Sequence, residues 1–181
     1  FLADGTEDGS FTSPTITQGG NTGHIFSLSV APDGKLYVRG SFDTIGGVSL
    51  TDLARLNSDG SVDTSFAPNF SSTHTITGDQ IFATSHGLYL GLHSSTDGRG
   101  LARLTDTGSI DPTFKFASAS FQNTFSHIRA LHALADGRVL VGYLRGNGIT
   151  VSTYGFTRLE ADGDEDSSFN PVIKNAPLTN Y

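Results

Sequence analysis

Three arginine–aspartate pairs carry the most regular chemistry in this chain. Arg55 stands eight residues before Asp63, Arg103 eight before Asp111, and Arg158 eight before Asp166. A guanidinium fork and a carboxylate can each take a charged ligand, or they can clamp one another through parallel hydrogen bonds. A catalytic centre is normally unique, whereas these pairs recur. The expected role is therefore internal: each pair ties a final hairpin together, with the phenylalanine three residues after the Asp packed between neighbouring units. The acidic run "EADGDEDSS" at 160–168 offers Asp162, Asp164 and Asp166 as weak calcium candidates, since Ca²⁺ takes six to eight oxygen ligands. It lacks the EF-hand spacing and the bidentate Glu that closes such a loop, and a solvated turn is the favoured reading. No cofactor is expected.

The histidines offer less. His24 and His127 occupy the same repeat position, which argues for a structural role, and His86 and His93 fall on opposite faces of a strand. His132 near His127 makes at most two ligands, too few for a zinc site. "GRG" at 98–100 and "GNG" at 146–148 have no following helix to form a phosphate loop, and there is no G-x-S-x-G elbow. A nucleophilic site has no support, and the expectation is a protein that is not an enzyme.

The elements that must position these groups are strands. Asp outnumbers Glu 15 to 3, and Gly, Ser and Thr number 22, 21 and 21 of 181 residues; Asp and Gly favour turns where Glu favours helices. The net charge of −7 argues against nucleic acid or an anionic membrane as partner. Without Cys there are no disulfides or thiolate sites. No apolar run approaches the ~20 residues of a membrane helix, and "FLADGTEDGS" is not a signal peptide. The chain has no Met, and is expected to be a processed product or an internal piece.

Two motifs alternate at one period. Asp-x-x-Phe occurs at Asp8–Phe11, Asp63–Phe66, Asp111–Phe114 and Asp166–Phe169, and between these fall "APDGKLYV" (31–38), "TSHGLYLG" (84–91) and "LADGRVLVG" (134–142). The first full unit is predicted to have four strands, over 24–30, 35–42, 50–56 and 61–67. Asp33-Gly34 and Asp59-Gly60 form its turns, and Gly46-Gly47 a link. Units of four short strands at this period are propeller blades. The predicted division is 1–20, tail of a preceding blade and linker; 21–70, first blade; 71–120, second and divergent blade; 121–170, third blade; and 171–181, lead into a next repeat or tail. The second unit departs from the pattern, with Ser85-His86-Gly87 in place of an Asp-Gly turn.

The combination "APDGKLYVRGSF…LARLNSDGSVDTSF" resembles the delta-60 repeat family of bacterial β-propellers along nearly the whole chain. The resemblance implies four-stranded blades and a large exported or surface protein, and carries no shared catalytic residue. The expected fold is all-β: a β-propeller-like repeat of four-stranded antiparallel blades, three plus a partial one. Three blades fall short of the typical four to eight of a closed ring. An arc completed by flanking blades or sister subunits is therefore expected, with a strand-swapped N-terminal remnant as a further form of closure.

The leading functional expectation is a recognition, adhesion or scaffold module, extracellular or on a bacterial cell surface, binding a protein or glycan through blade-edge loops. The speculative contacts are Phe121, Phe125, Tyr143, Arg145, Asn147 and Tyr154, aromatic or polar residues outside the strict repeat; core packing is their plainer reading. The alternatives are part of a propeller hydrolase or lyase whose channel site needs further blades, and a purely structural repeat.

Overall fold

A computed structural model describes residues 3–70, 74–94, 98–115, 127–146 and 151–171. The described residues are all strand, turn and connecting segment, with no helix. The strands are β1 (Ile16–Gln18), β2 (Asn21–Thr22), β3 (His24–Val30), β4 (Leu36–Ser41), β5 (Thr44–Ile45), β6 (Val48–Ser49), β7 (Leu53–Leu56), β8 (His74–Thr84), β9 (Gly87–Ser94), β10 (Gly98–Leu104), β11 (His127–Ala133), β12 (Val139–Gly146) and β13 (Val151–Leu159). They form three antiparallel blades, β3-β4-β7, β8-β9-β10 and β11-β12-β13, and a small accessory sheet in the order β2-β1-β5-β6.

The all-β, blade-like architecture is as predicted; among the described residues each blade sheet has three paired strands, and the position of the fourth is held by a single bridge. The segment read as the fourth strand of the first blade, 61–67, contributes only the single bridge Val62 to Leu56; Ile110 to Leu104 and Glu165 to Leu159 repeat it. The cause is the Asp-x-x-Phe motif. Phe66, Phe114 and Phe169 each donate a backbone hydrogen bond to the carbonyl of the Asp three residues earlier, so the chain turns where a strand would have to stay extended.

The turns before this motif share one geometry. Gly60 N–H bonds back to the Asn57 carbonyl and Asn57 N–H to the Ser61 carbonyl; Thr105–Ser109 and Glu160–Asp164 repeat the pair, as do Ala31–Lys35 and Leu134–Arg138 at the other hairpin. The glycine in each has φ between 83° and 91°, the left-handed residue of a three-residue hairpin loop. In the second blade Ser85-His86 is instead a two-residue turn, with Thr84 opposite Gly87. That blade keeps its three-strand sheet, with a register shift between Ile76 and Ile81.

Gly46-Gly47 is no mere link. It closes the β5–β6 hairpin, as Gly19-Gly20 closes β1–β2, with φ near 56° then 80° in both. Positive φ at both central residues is what a two-residue type I′ turn needs. The two hairpins join through Ile16–Ile45 and Thr17–Thr44.

The blades stack face to face. Strand alternation sends Tyr37 and Leu53 to one face of the first blade, where with Phe66 they meet Leu88, Leu90, Ala102 and Leu104 of the second. The opposite face of the second blade sends Tyr89 and Leu101, with Phe114, against Val139, Val141 and Leu159 of the third. The remaining face of the first blade, Val38, Ala54 and Leu56, is covered by Phe42, Ile45, Ile16 and Phe11 from the accessory sheet and N-terminal segment. Burial of these Leu, Val and Phe side chains contributes ~1.5–3 kcal/mol each.

Candidate functional site

The repeated charged residues meet at the edge of each blade. Register places Tyr37 opposite Arg55 on neighbouring strands, and the hairpin that follows carries Asp63 back beside the arginine. Arg55 Nε donates to Asp63 Oδ2 at 2.8 Å, and Arg103 Nε to Asp111 Oδ2 at 2.8 Å; in the third blade Arg158 Nε donates to Asp166 Oδ2 at 2.6 Å. The other carboxylate oxygen accepts from the backbone N–H and hydroxyl of the residue two along: Ser65, Thr113 or Ser168.

Each guanidinium also lies over the phenylalanine of its own motif. Its carbon is 5.0 Å from the Phe66 centroid for Arg55, 5.0 Å from Phe114 for Arg103 and 4.7 Å from Phe169 for Arg158. Tyr37, Tyr89 and Phe156 complete the groups with edge-on ring contacts of 5.2, 5.4 and 5.5 Å. The cation, carboxylate and ring satisfy one another, as a buried fixture requires.

The electrostatics follow. Lys35, whose Nζ sits 2.7 Å from Asp63, and the Ser65 hydroxyl hold the Asp63 carboxyl well below the usual carboxylate range. At Asp111, burial pushes upward, but the Thr113 hydroxyl and backbone N–H and Arg103 hold the net shift downward. The Ser168 hydroxyl and Arg158 pull Asp166 down to about 2. All three are carboxylates at neutral pH, suited to fastening and not to proton transfer.

The motif also joins successive repeats. Just past each Phe, the next backbone N–H reaches the following unit's turn. Thr12 bonds to the Asp59 carbonyl at 2.8 Å, Ala67 to Thr107 at 3.0 Å and Lys115 to Asp162 at 2.5 Å. The turn glycines lie directly under this crossing chain: a Cβ on Gly108 would stand 2.7 Å from Pro68 N, and one on Gly163 2.6 Å from the Lys115 carbonyl. Glycine is therefore required twice over, by its positive φ and by the close approach. The N-terminal "DGSF" is the same clasp closing on the first blade. The eight-residue spacing marks the ion pairs in the sequence; the clasp leaves no such mark, because its partners lie 40 to 47 residues apart.

The calcium candidates face cations of the chain itself. Lys115 Nζ pairs with Asp164 and lies 3.3 Å from Asp162, while Asp166 belongs to Arg158 and is 3.5 Å from Arg138. Among the described residues no group of three or more His, Asp or Glu converges as a metal site. No helix among them is long and apolar enough to cross a membrane.

The speculative contacts do not come together in what is described. Phe121, Phe125 and Asn147 lie outside the described residues. Arg145 and Tyr154 lie on the extended β12–β13 hairpin, opposite Thr153 and Leu144. Tyr143 is half-buried and packs against the core between the second and third blades.

Fold and fixtures together define a blade-repeat protein of β-propeller type. Residues 31–66, the heart of the first blade, match the family described as "Domain of unknown function (DUF5122) beta-propeller". No curated protein matches the chain.

Proposed function

We propose that the chain is a non-enzymatic scaffold and recognition module of an exported or surface protein, of the delta-60 kind that its sequence resembles. Its repeats would propagate a blade array while loops at the blade edges bind a protein or glycan. The observation that carries this reading is the pairing of blade faces. Every internal interface joins one face bearing the Tyr/Leu/Phe set to an opposite face bearing Leu/Val/Ala. The outer face of the first blade is covered at Val38, Ala54 and Leu56 by the accessory sheet and N-terminal segment, and among the described residues large apolar side chains stay exposed only at its β3 margin and on the third blade. On the third blade Phe156 is 39% exposed beside Phe169; on the first, Leu28 and Val30 are 57% and 67% exposed. These exposed apolar margins support the reading that a further blade or a sister subunit docks there.

Sedimentation over a range of concentrations tests this, comparing the chain with Phe156→Glu and Leu28→Glu. A heavier species that each substitution removes is expected. A chain that stays monomeric at high concentration, with or without the substitutions, would count against docking. The Cys-free, Ser/Thr/Asp-rich composition supports an exported setting, to be checked by fractionation of the producing cell.

A further inference from the structure

The repeated chemistry fastens blades, so a ligand site should appear where the repeats stop agreeing. Two positions break the symmetry together. Arg39 pairs with Leu53 across the first blade; the matching positions are Gly91, opposite Leu101, and Gly142, opposite Phe156. Asp52 precedes Leu53 where Gly100 and Gly155 precede their counterparts. The first blade thus carries a cation and an anion at a place where its siblings carry two glycines.

The geometry is unusual as well. Asp52 has φ of 64° and stands alone among the described non-glycine residues in having positive φ, while its glycine counterparts lie in regular strands. Left-handed backbone at a non-glycine residue is strained and gathers at ligand sites. Here the strain is braced from behind. The largely buried Arg39 guanidinium donates to the carbonyl oxygens of Gly40 and Asp52, the latter at 3.2 Å, and lies 3.7 Å from the Asp52 carboxylate and 5.6 Å from the Phe26 ring centroid. The carboxylate itself remains 43% exposed.

Asp52 lines a cleft of about 370 Å³ between the β6–β7 link on one side and residues 68–70 with the start of β8 on the other, within the ~300–1,000 Å³ of small-molecule sites. Thr51, Asp52, Asn69 and His74 supply the polar lining, and Leu50 and Phe70 an apolar wall. We propose that this cleft binds a neutral saccharide. A carboxylate, an amide and a hydroxyl can together donate to and accept from neighbouring sugar hydroxyls, and the apolar wall suits the C–H face of the ring. Arg39 already balances the Asp52 charge, which weakens the cleft as a cation site. The net charge of −7 disfavours anionic glycans.

The inference rests on the recognition reading for its ligand class and on the first blade alone for its place. Saturation-transfer NMR with glucose, galactose, mannose, N-acetylglucosamine, cellobiose and maltose tests it on the chain, Asp52→Gly and Asp52→Asn. The glycine restores the residue of the sibling blades, and the asparagine tolerates left-handed backbone; an unchanged circular dichroism spectrum and melt establish that both variants fold. At least one sugar should show saturation at its ring protons, with about tenfold weaker binding in both variants, as for loss of a charge-assisted hydrogen bond. Absence of saturation by every sugar overturns the proposal. Binding that both variants retain also overturns it, while leaving glycan recognition to another surface such as the β12–β13 hairpin.

Discussion

Replacing Asp63 by alanine isolates the energetic role of one fixture. Asp63 accepts four hydrogen bonds: from Arg55 at 2.8 Å, Lys35 at 2.7 Å, and the Ser65 backbone and hydroxyl at 3.0 and 2.6 Å. Removing it leaves the Arg55 guanidinium, only 4% exposed, without its counter-charge, a change that costs ~3–5 kcal/mol for a buried pair. Arg55 keeps the Tyr37 hydroxyl at 3.2 Å and the Ser65 hydroxyl at 3.1 Å, which argues for the low end, about 3 kcal/mol. The freed Ser65 N–H adds about 1 kcal/mol. Lys35 can turn to water and contributes little. The expected loss is therefore about 4 kcal/mol, a large share of the ~5–15 kcal/mol of a folded domain.

Asp111→Ala provides the internal control. Arg103 is more exposed than Arg55 and keeps the Ala161 carbonyl at 3.2 Å, so its loss should be nearer 2 kcal/mol. Urea unfolding measures both. In a double-mutant cycle, Arg55→Met with Asp63→Ala should cost at least about 1 kcal/mol less than the sum of the single changes, because no uncompensated charge remains. If Asp111→Ala costs as much as Asp63→Ala, or if the cycle shows no coupling, the fixture reasoning fails.

The clasp predicts a contrast between glycines of equal backbone strain. Gly34→Ala, at φ 83° with open space around its Cβ, should cost about 1 kcal/mol; Gly108→Ala, at φ 90° under Pro68, should cost about 2–3 kcal/mol more by displacing the crossing chain, as read by chemical denaturation. Acid should loosen the third blade late. The Asp166 pKa, lowered to about 2, gives stability that is present above the unfolded value of ~3.9 and is lost as pH falls from about 4 to 2. Near-ultraviolet circular dichroism against pH, in the chain and in Asp166→Asn, should show that the step disappears in the variant. Gly46→Val, with φ of 56° and a Cβ 2.8 Å from Val62, should unseat the accessory hairpin and raise exchange of the β4 and β7 amides, as read by hydrogen exchange.

Local chemistry made much of this architecture readable. An Asp-Gly turn fixes where two strands reverse, so the eight-residue interval from Arg55 to Asp63 spans one hairpin and brings two charges to the same edge. The fourth strand was misread because "SVDTSFA" alternates as a strand does; the Asp63 side chain captures the Ser65 N–H and bends the backbone where period two would extend it. The accessory sheet was missed for another reason. "TQGGNT" and "TIGGVS" are each too short to bury a face alone, and only their mutual pairing and the apolar face beneath them make strands of them. Arg39 and Asp52 drew no notice in the sequence because they lie outside the repeated motif, and a pattern search finds what recurs.

Repetition limits where function can arise in such a fold. A clasp that must close on every neighbour fixes Arg, Asp, Phe and Gly in each unit, since a change in any one disturbs two blades at once. Chemistry aimed at an outside ligand has to occupy positions where a unit can vary without weakening the array. The ladder position of Asp52 is one of these: its carbonyl still accepts from Gly40 N–H at 3.0 Å, so the sheet is held while the side chain faces the cleft. On the proposed reading the blades separate two tasks by position, with fastening at the repeated edge and ligand contact where the first blade departs from its siblings. If that separation holds, Asp52→Gly should weaken sugar binding about tenfold with no loss of blade docking, and Phe156→Glu should weaken docking with no loss of sugar binding.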